Sequence, residues 1–278
     1  MSAETSAKTV TLLHVSDIHF GAVDHAALDA LAGYVREHPP DAVVVAGDLT
    51  QSGRKHEFDA ARAWLDTFEC PCLVVPGNHD TPALNATQRL FAPFRRYATA
   101  MGARDIVGKV VELGEGRVRV GAINSARGVQ GRINWAQGII DLDDLRSTLD
   151  LLSEGPVGAR RVLVCHHPLS EPGHARISVD TRRGGEALHL CAAAGVDAVL
   201  TGHIHDPFAH PVRLSGRQLV QMGSGTLSTR LRQSYASFCV VTLSESHVRQ
   251  EVVTAAARGH SVHLNYDSHL HASEQRLL

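Results

Sequence analysis

Short, nearly continuous apolar runs punctuate the first part of the chain: VTLLHVSD (10–17), DAVVVAGD (41–48) and PCLVVPGN (71–78). Runs of this length, rich in β-branched residues and apolar at successive positions, predict strands buried on both faces. Between them, apolar residues recur at helical spacing over 24–36 and 54–68, where Phe58, Ala61, Trp64, Leu65 and Phe68 share a face. Such alternation predicts βαβ units and a parallel sheet. A third helical stretch is expected over about 84–100, and 109–124 reads as a hairpin turning at Gly114-Glu115-Gly116. Residues 141–153 and 184–194 read as helices, and 161–167 and 197–203 as strands. The pattern then changes. RQLVQMGSG, SFCVVTLSE and HVRQEVVTA leave no room for helices between them and predict a meander. The chain reads as α/β, parallel in its first half and more antiparallel in its second.

The predicted strands share a feature at their carboxyl ends. The first runs into Asp17-Ile18-His19, the second into Gly47-Asp48 and the third into Gly77-Asn78-His79-Asp80. The fourth ends in His166-His167-Pro168, and the fifth leads to Gly202-His203-Ile204-His205. Open α/β sheets bind ligands beyond the carboxyl ends of their strands, so these groups should meet in one pocket. In extended chain, Asp17 and His19 point the same way, as do His203 and His205. So many ionisable groups cannot be buried together without compensation, and metal ions would supply it. The donors are oxygen and imidazole nitrogen with no thiolate, which suits Mn, Fe or Zn. They are too many for one ion. Two ions bridged by a carboxylate serve phosphoryl chemistry, by generating a hydroxide nucleophile and neutralising developing charge.

Composition narrows the setting. The 278 residues carry a net charge of −2 and include 18 histidines, with only Lys8, Lys55 and Lys109 as lysines. No basic surplus points to nucleic acid, and no apolar stretch approaches the roughly 20 residues of a spanning helix. The N-terminus lacks the apolar centre of a signal peptide, which predicts a cytoplasmic protein. Five cysteines at 70, 72, 165, 191 and 239 read as reduced, mostly buried thiols. Residues 1–8 read as a flexible N-terminus, 9–257 as one domain and 258–278 as a surface arm or disordered tail.

The five blocks together resemble those of the calcineurin-like metallophosphoesterases. The resemblance covers about 9–205 and implies a four-layer αββα sandwich with two mixed sheets. It implies that Asp17, His19, Asp48 and His205 hold one metal, and that Asp48, Asn78, His166 and His203 hold a second, with Asp48 as the bridge. His79 would stand by the leaving group as proton donor or positive partner, with Asp80 orienting it. Asn78, His79 and His167 would face substrate. Within the superfamily, HVSDIHFG, VVAGDLTQSG, VPGNHD and HHP are most similar to bacterial class III cyclic nucleotide phosphodiesterases, and also resemble glycerophosphodiesterases. The block Gly47–Gly53 lacks the arginine that protein phosphatases carry there.

These readings imply a dinuclear phosphodiesterase acting on a small-molecule phosphodiester, 3′,5′-cyclic AMP first among candidates. Glycerophosphodiesters, nucleotide pyrophosphates or phosphomonoesters are the alternatives, and a non-catalytic metal-binding scaffold is a third class. The resemblance is compatible with a homodimer. Pocket walls are expected from 81–108, 125–140 and 169–183, the last with His174, Arg176, Arg182 and Arg183. Adjacent strand residues face opposite ways, so His166 and His167 cannot both reach one metal from extended chain. Periodicity does not choose between them, since Val162 to Cys165 are apolar on both faces. The family block selects His166 and leaves His167, held extended by Pro168, beside the pocket.

Overall fold

A computed structural model describes residues 9–130, 136–172 and 181–255, and the backbone of 266–267. Two six-stranded sheets stack face to face. In the first, β1 (Val10–Val15), β2 (Ala42–Ala46) and β3 (Cys72–Val75) run parallel in that spatial order. In the second, β4 (Val110–Leu113) pairs antiparallel with β5 (Val118–Ala122). The sheet continues in parallel through β6 (Arg160–Val164), β7 (Ala198–Thr201) and β9 (Arg217–Gly223), and β8 (Phe208–Leu214) closes its edge. The chain then returns to the first sheet, where β10 (Ser237–Leu243) lies antiparallel to β1 and is followed outward by β11 (Val248–Thr254) and β12 (Tyr266–Asp267).

Leu12, Val44 and Leu73 of the first sheet meet Val120, Val162, Leu200 and Val220 of the second between the sheets. On the outer face of the first sheet, α1 (His25–Glu37) and α2 (Lys55–Leu65) lay Leu31, Phe58 and Leu65 against Leu13, Val43 and Val45. On the outer face of the second, α5 (Leu142–Ser153) and α6 (Gly184–Ala193) lay Leu145, Leu149 and Cys191 against Leu163 and Val199. The result is the expected four-layer αββα sandwich. Coverage on both faces explains why β2 is buried at all five positions and why its sequence shows no alternation. Asp24 and Asp141 start α1 and α5 by accepting hydrogen bonds from the first free backbone N–H groups. All five cysteines are free, and Cys72, Cys165, Cys191 and Cys239 are buried.

Two local readings change. The helical stretch expected over about 84–100 is two short helices, α3 (Ala86–Phe91) and α4 (Arg95–Met101). Pro93 lies between them and has no N–H to continue the first. The predicted meander is divided between the sheets: β9 joins the second sheet, β10 and β11 the first. Its missing partner is β8, whose Pro211 hides the strand pattern and is tolerated because β8 lies at the sheet edge. The tail reading of 258–278 falls mostly outside the described residues, of which Tyr266–Asp267 pairs with β11.

The inter-sheet layer predicts a steep packing cost. Leu12→Ala, at a fully buried position, should lower the unfolding free energy by about 2–5 kcal/mol. Leu84→Ala, 83% exposed, should stay within about 0.5 kcal/mol. Urea unfolding of the two variants checks the contrast.

Candidate metal centre

The predicted strand ends do converge, but not by extended chain. Asp17, His19, Asp48, His203 and His205 all have left-handed backbone, with φ of 53°, 50°, 53°, 71° and 65°. Only three other non-glycine residues among those described share this conformation: Glu115, Arg183 and Ser215. Left-handed backbone is uncommon outside glycine, though Asp and His adopt it more readily than most, and its concentration here singles the place out as a candidate functional site. The alternation argument for Asp17 with His19 and His203 with His205 is thus replaced by a pair of turns. Each turn sends the intervening Ile18 or Ile204 into buried surroundings while its neighbours reach the site. The glycines serve close approach. A side chain on Gly77 would collide with the carboxylate and backbone nitrogen of Asp48, and one on Gly47 with the His166 ring.

The first group of side chains able to hold an ion is Asp17, His19 and His205, all buried. The Nδ1 of His19 lies 3.2 Å from the Thr50 carbonyl and that of His205 lies 2.8 Å from the Arg230 carbonyl. A carbonyl only accepts, so each Nδ1 carries the hydrogen. That turns both Nε2 atoms inward, 3.3 Å apart, with the His205 Nε2 3.2 Å from Asp17 Oδ1. Asp17 Oδ1 has no hydrogen-bond partner, although buried. Its other oxygen accepts from the backbone N–H of His203 at 2.8 Å and from the Ser16 hydroxyl.

The second group centres on Asp48 and His166. His166 Nδ1 donates to the Ala46 carbonyl at 2.8 Å, which leaves Nε2 facing Asn78 Oδ1 at 3.1 Å and Asp48 Oδ2 at 3.4 Å. Asp48 Oδ2 also lies 3.9 Å from His19 Nε2, so one carboxylate oxygen stands between the two groups. Asp48 Oδ1 accepts from the backbone N–H of His79 at 2.8 Å. The His203 ring packs 5.2 Å from that of His166.

Charge is balanced in an unusual way. Burial lowers His19 to about 4 and His203 to about 3, the latter helped by repulsion from His166. Burial also disfavours the charged form of His166, but Asp48 outweighs it and raises the ring to about 9. At His205 burial is likewise outweighed, by Asp17, and the ring shifts upward. Burial would raise Asp17 and Asp48, yet His205 and His166 hold them well below the usual carboxylate range. Without metal, protons on two imidazoles take the place of cations.

Three further residues are placed around these groups. His167 is fully buried, its Nε2 donating to the Ala136 carbonyl at 2.9 Å and its Nδ1 2.9 Å from Ser125 Oγ. Both ring nitrogens are engaged, although its ring lies 4.6 Å from that of His203. His79 donates from Nδ1 to the Gln51 carbonyl at 2.8 Å, and its Nε2 accepts from Arg230 Nη1 at 3.1 Å. Asp80 does not hold the His79 ring in this way. Its carboxylate accepts from the backbone of Leu49, Thr50 and Gly77 and from the Thr50 hydroxyl. Burial and nearby Asp48 raise it to about 7. It acts on the shape of two loops, and Gln51 sets the ring.

Arg230, Gln51, Ser125 and Thr226, whose hydroxyl donates to the Asp17 carbonyl at 2.6 Å, escape a sequence reading. They stand in loops with no spacing signature. Of the residues flagged in 169–183, Arg182 and Arg183 are exposed, and His174 and Arg176 lie outside the described residues. A cleft of about 350 Å³ opens beside Asn78 and His79, lined also by Gln51, Thr81 and Arg89.

Do these residues fit a metal pair? The orphaned Asp17 oxygen and the inward Nε2 atoms of His19, His166 and His205 form an acceptor-lined space that a cation satisfies. Backbone carbonyls fix the tautomers, as the outer partners of metal-bound histidines do. The donor set fits.

Comparison with known proteins agrees. Residues 10–207 match the model of the calcineurin-like phosphoesterase family. A probable cyclic nucleotide phosphodiesterase of Synechococcus is 26% identical over 215 residues, 73% of this chain and 76% of that protein. A glycerophosphodiester phosphodiesterase of Enterobacter lignolyticus is 40% identical over 84 residues, 26% of this chain and 30% of its own length. Among solved structures, a dimetal phosphatase from Danio rerio superposes with a TM-score of 0.61 at 14% identity, covering 89% of this chain and 96% of that one. With residues 10–207 matched, the chain belongs to the calcineurin-like phosphoesterases.

Proposed function

We propose that this protein is a dinuclear metal-dependent phosphodiesterase, and that 3′,5′-cyclic AMP is the first substrate to test. The observation that carries the reading is the position of Asp48 Oδ2, 3.4 Å from His166 Nε2 and 3.9 Å from His19 Nε2. A carboxylate so placed is suited to serve two ions at once. Asp17, His19, Asp48 and His205 would hold one, and Asp48, Asn78, His166 and His203 the other. The all-oxygen-and-nitrogen set suits Mn, Fe or Zn. When bound, the ions supply polarisation of the phosphorus–oxygen bond and an acidified water.

The chain's own residues do the rest. The Thr50, Ala46 and Arg230 carbonyls hold three imidazoles in the tautomer that leaves Nε2 inward. Gln51 holds His79 at the mouth of the cleft, where its ring would stand beside a departing oxygen. Glu57 fixes the 50–54 loop beneath it by accepting from the backbone of Ser52 and Arg54. His167 belongs to the wall, tied to Ser125 and Ala136.

Cyclic nucleotides are favoured because the relative covering three quarters of its own length is named for them. Glycerophosphodiesters are the second reading, favoured by the 40% identical segment. Among the described residues no helix is long and apolar enough to cross a membrane. The five free cysteines support a reducing, cytoplasmic setting.

The ligand assignment has a direct test. His166→Ala should bind one metal fewer per chain by elemental analysis, and His167→Ala should keep both. The reverse result would place the second metal on the wrong histidine. Catalysis separates from metal binding in a second pair. Asp48→Ala should lose metal and activity, whereas His79→Ala should retain metal while kcat falls by about 10²–10⁴-fold. Full activity in His79→Ala would remove it from the chemistry. For substrate, rates of the Mn-loaded protein on cyclic nucleotides, glycerophosphodiesters and nucleotide pyrophosphates should rank cyclic AMP first. Inactivity on all of these and on bis(p-nitrophenyl) phosphate would sink the phosphodiesterase reading.

A further inference from the structure

Arg230 is a half-buried cation beside the candidate metal centre, outside the segment that matches the family. Its Nη1 lies 3.1 Å from His79 Nε2 and 3.3 Å from Gln51 Oε1. The Gln51 carbonyl can only accept, so His79 carries its hydrogen on Nδ1 and offers a lone pair at Nε2. The guanidinium thus meets the His79 ring and the Gln51 side-chain amide, and neither is a carboxylate. Among the described residues no carboxylate pairs with it, and its side-chain hydrogen bonds to Gln51 and His79 both use Nη1. A partly buried cation without a counter-ion is suited to an anionic ligand.

The backbone of the same residue is tightly fixed. Its carbonyl accepts from His205 Nδ1 at 2.8 Å, its N–H donates to Ser228 Oγ at 3.2 Å, and Thr229 N–H donates to Ala22 carbonyl at 2.9 Å. One residue thus ties a candidate metal ligand through its backbone and His79 through its side chain. The segment Gly47–Gly53 carries no arginine, but Arg230 brings one to Gln51 of that segment from far along the chain.

We propose that Arg230 is a substrate-contacting residue that grips the anionic oxygens of the phosphoester beside His79. Its remaining N–H groups match two oxygens of one phosphate group. The proposal rests on the phosphoesterase reading of the site, and its test can fail separately from that reading.

Binding of inorganic phosphate to the Mn-loaded chain, measured by calorimetry, is compared for the unaltered protein, Arg230→Ala and Arg230→Lys, with metal content and kcat/KM on bis(p-nitrophenyl) phosphate followed in parallel. Losing charge-assisted hydrogen bonds of this kind corresponds to a factor of roughly 10–150. Arg230→Ala should weaken phosphate and lower kcat/KM by about that factor, and Arg230→Lys should recover part of both. Metal content should stay unchanged, because any residue at 230 keeps the carbonyl that meets His205. Phosphate affinity within twofold in Arg230→Ala with metals intact overturns the role and leaves the phosphodiesterase reading standing. Loss of metal in both variants also overturns it, since it would mark a structural residue, as would failure of the unaltered metal-loaded chain to bind phosphate. An unaltered chain that turns over no phosphoester, yet binds phosphate through Arg230, overturns the enzyme reading alone.

Discussion

Two aspartates, Asp17 and Asp48, are buried among four imidazoles, and the surrounding structure depends on balancing their charge. Carboxylates out of water demand positive charge and hydrogen bonds. Each aspartate spends one oxygen on a backbone N–H, Asp17 on that of His203 and Asp48 on that of His79. The second oxygen of each turns toward histidine Nε2 atoms that cannot all be protonated together. Burial drives His19 and His203 toward the neutral form, while the carboxylates draw His166 and His205 toward the charged one. A pair of metal ions resolves this competition more completely than shared protons do.

The scaffold holds that arrangement through main-chain carbonyls. Ala46, Thr50, Gln51 and Arg230 each accept from one histidine Nδ1, so the backbone selects the tautomer at His166, His19, His79 and His205. Backbone carbonyls are more dependable than side chains for this purpose, because they have no rotamers to lose. The covered faces of both sheets keep those strands rigid, and the left-handed turns beyond them convert strand direction into ligand direction. The site is thus as much a property of the sandwich as of the ligands.

The crossing from the second sheet back to the first completes it. Residues 224–230 leave β9 and enter the first sheet after passing beneath the site, with Ser224 bonded to the His14 carbonyl and Thr226 to the Asp17 carbonyl. The passage carries Arg230 to the side of His79, 151 positions away in sequence. A fold in which the last strands formed a simple meander would not place that arginine there.

Much of this was legible in the chain itself. Continuous apolar runs identified strands covered on both faces, helical periodicity identified the covering layers, and the polar residues closing five runs identified the pocket. Each is a local property: burial shapes the runs, and loops that leave buried strands can carry polar groups only where something answers them. Reading failed where the cause was local but hidden, as at Pro93 and Pro211, or where it was not local at all. Left-handed backbone at Asp17 or His203 is tolerated by these residue types, but nothing in the neighbouring sequence requires it. The choice between His166 and His167 likewise escaped periodicity. Their surroundings in the fold differ: a carbonyl of β2 turns the His166 Nε2 toward Asp48, while Ser125 and Ala136 lie against the two ring nitrogens of His167. Sequence determines which groups the strand ends carry. Only packing of one sheet against the other decides which of their atoms remain free to bind.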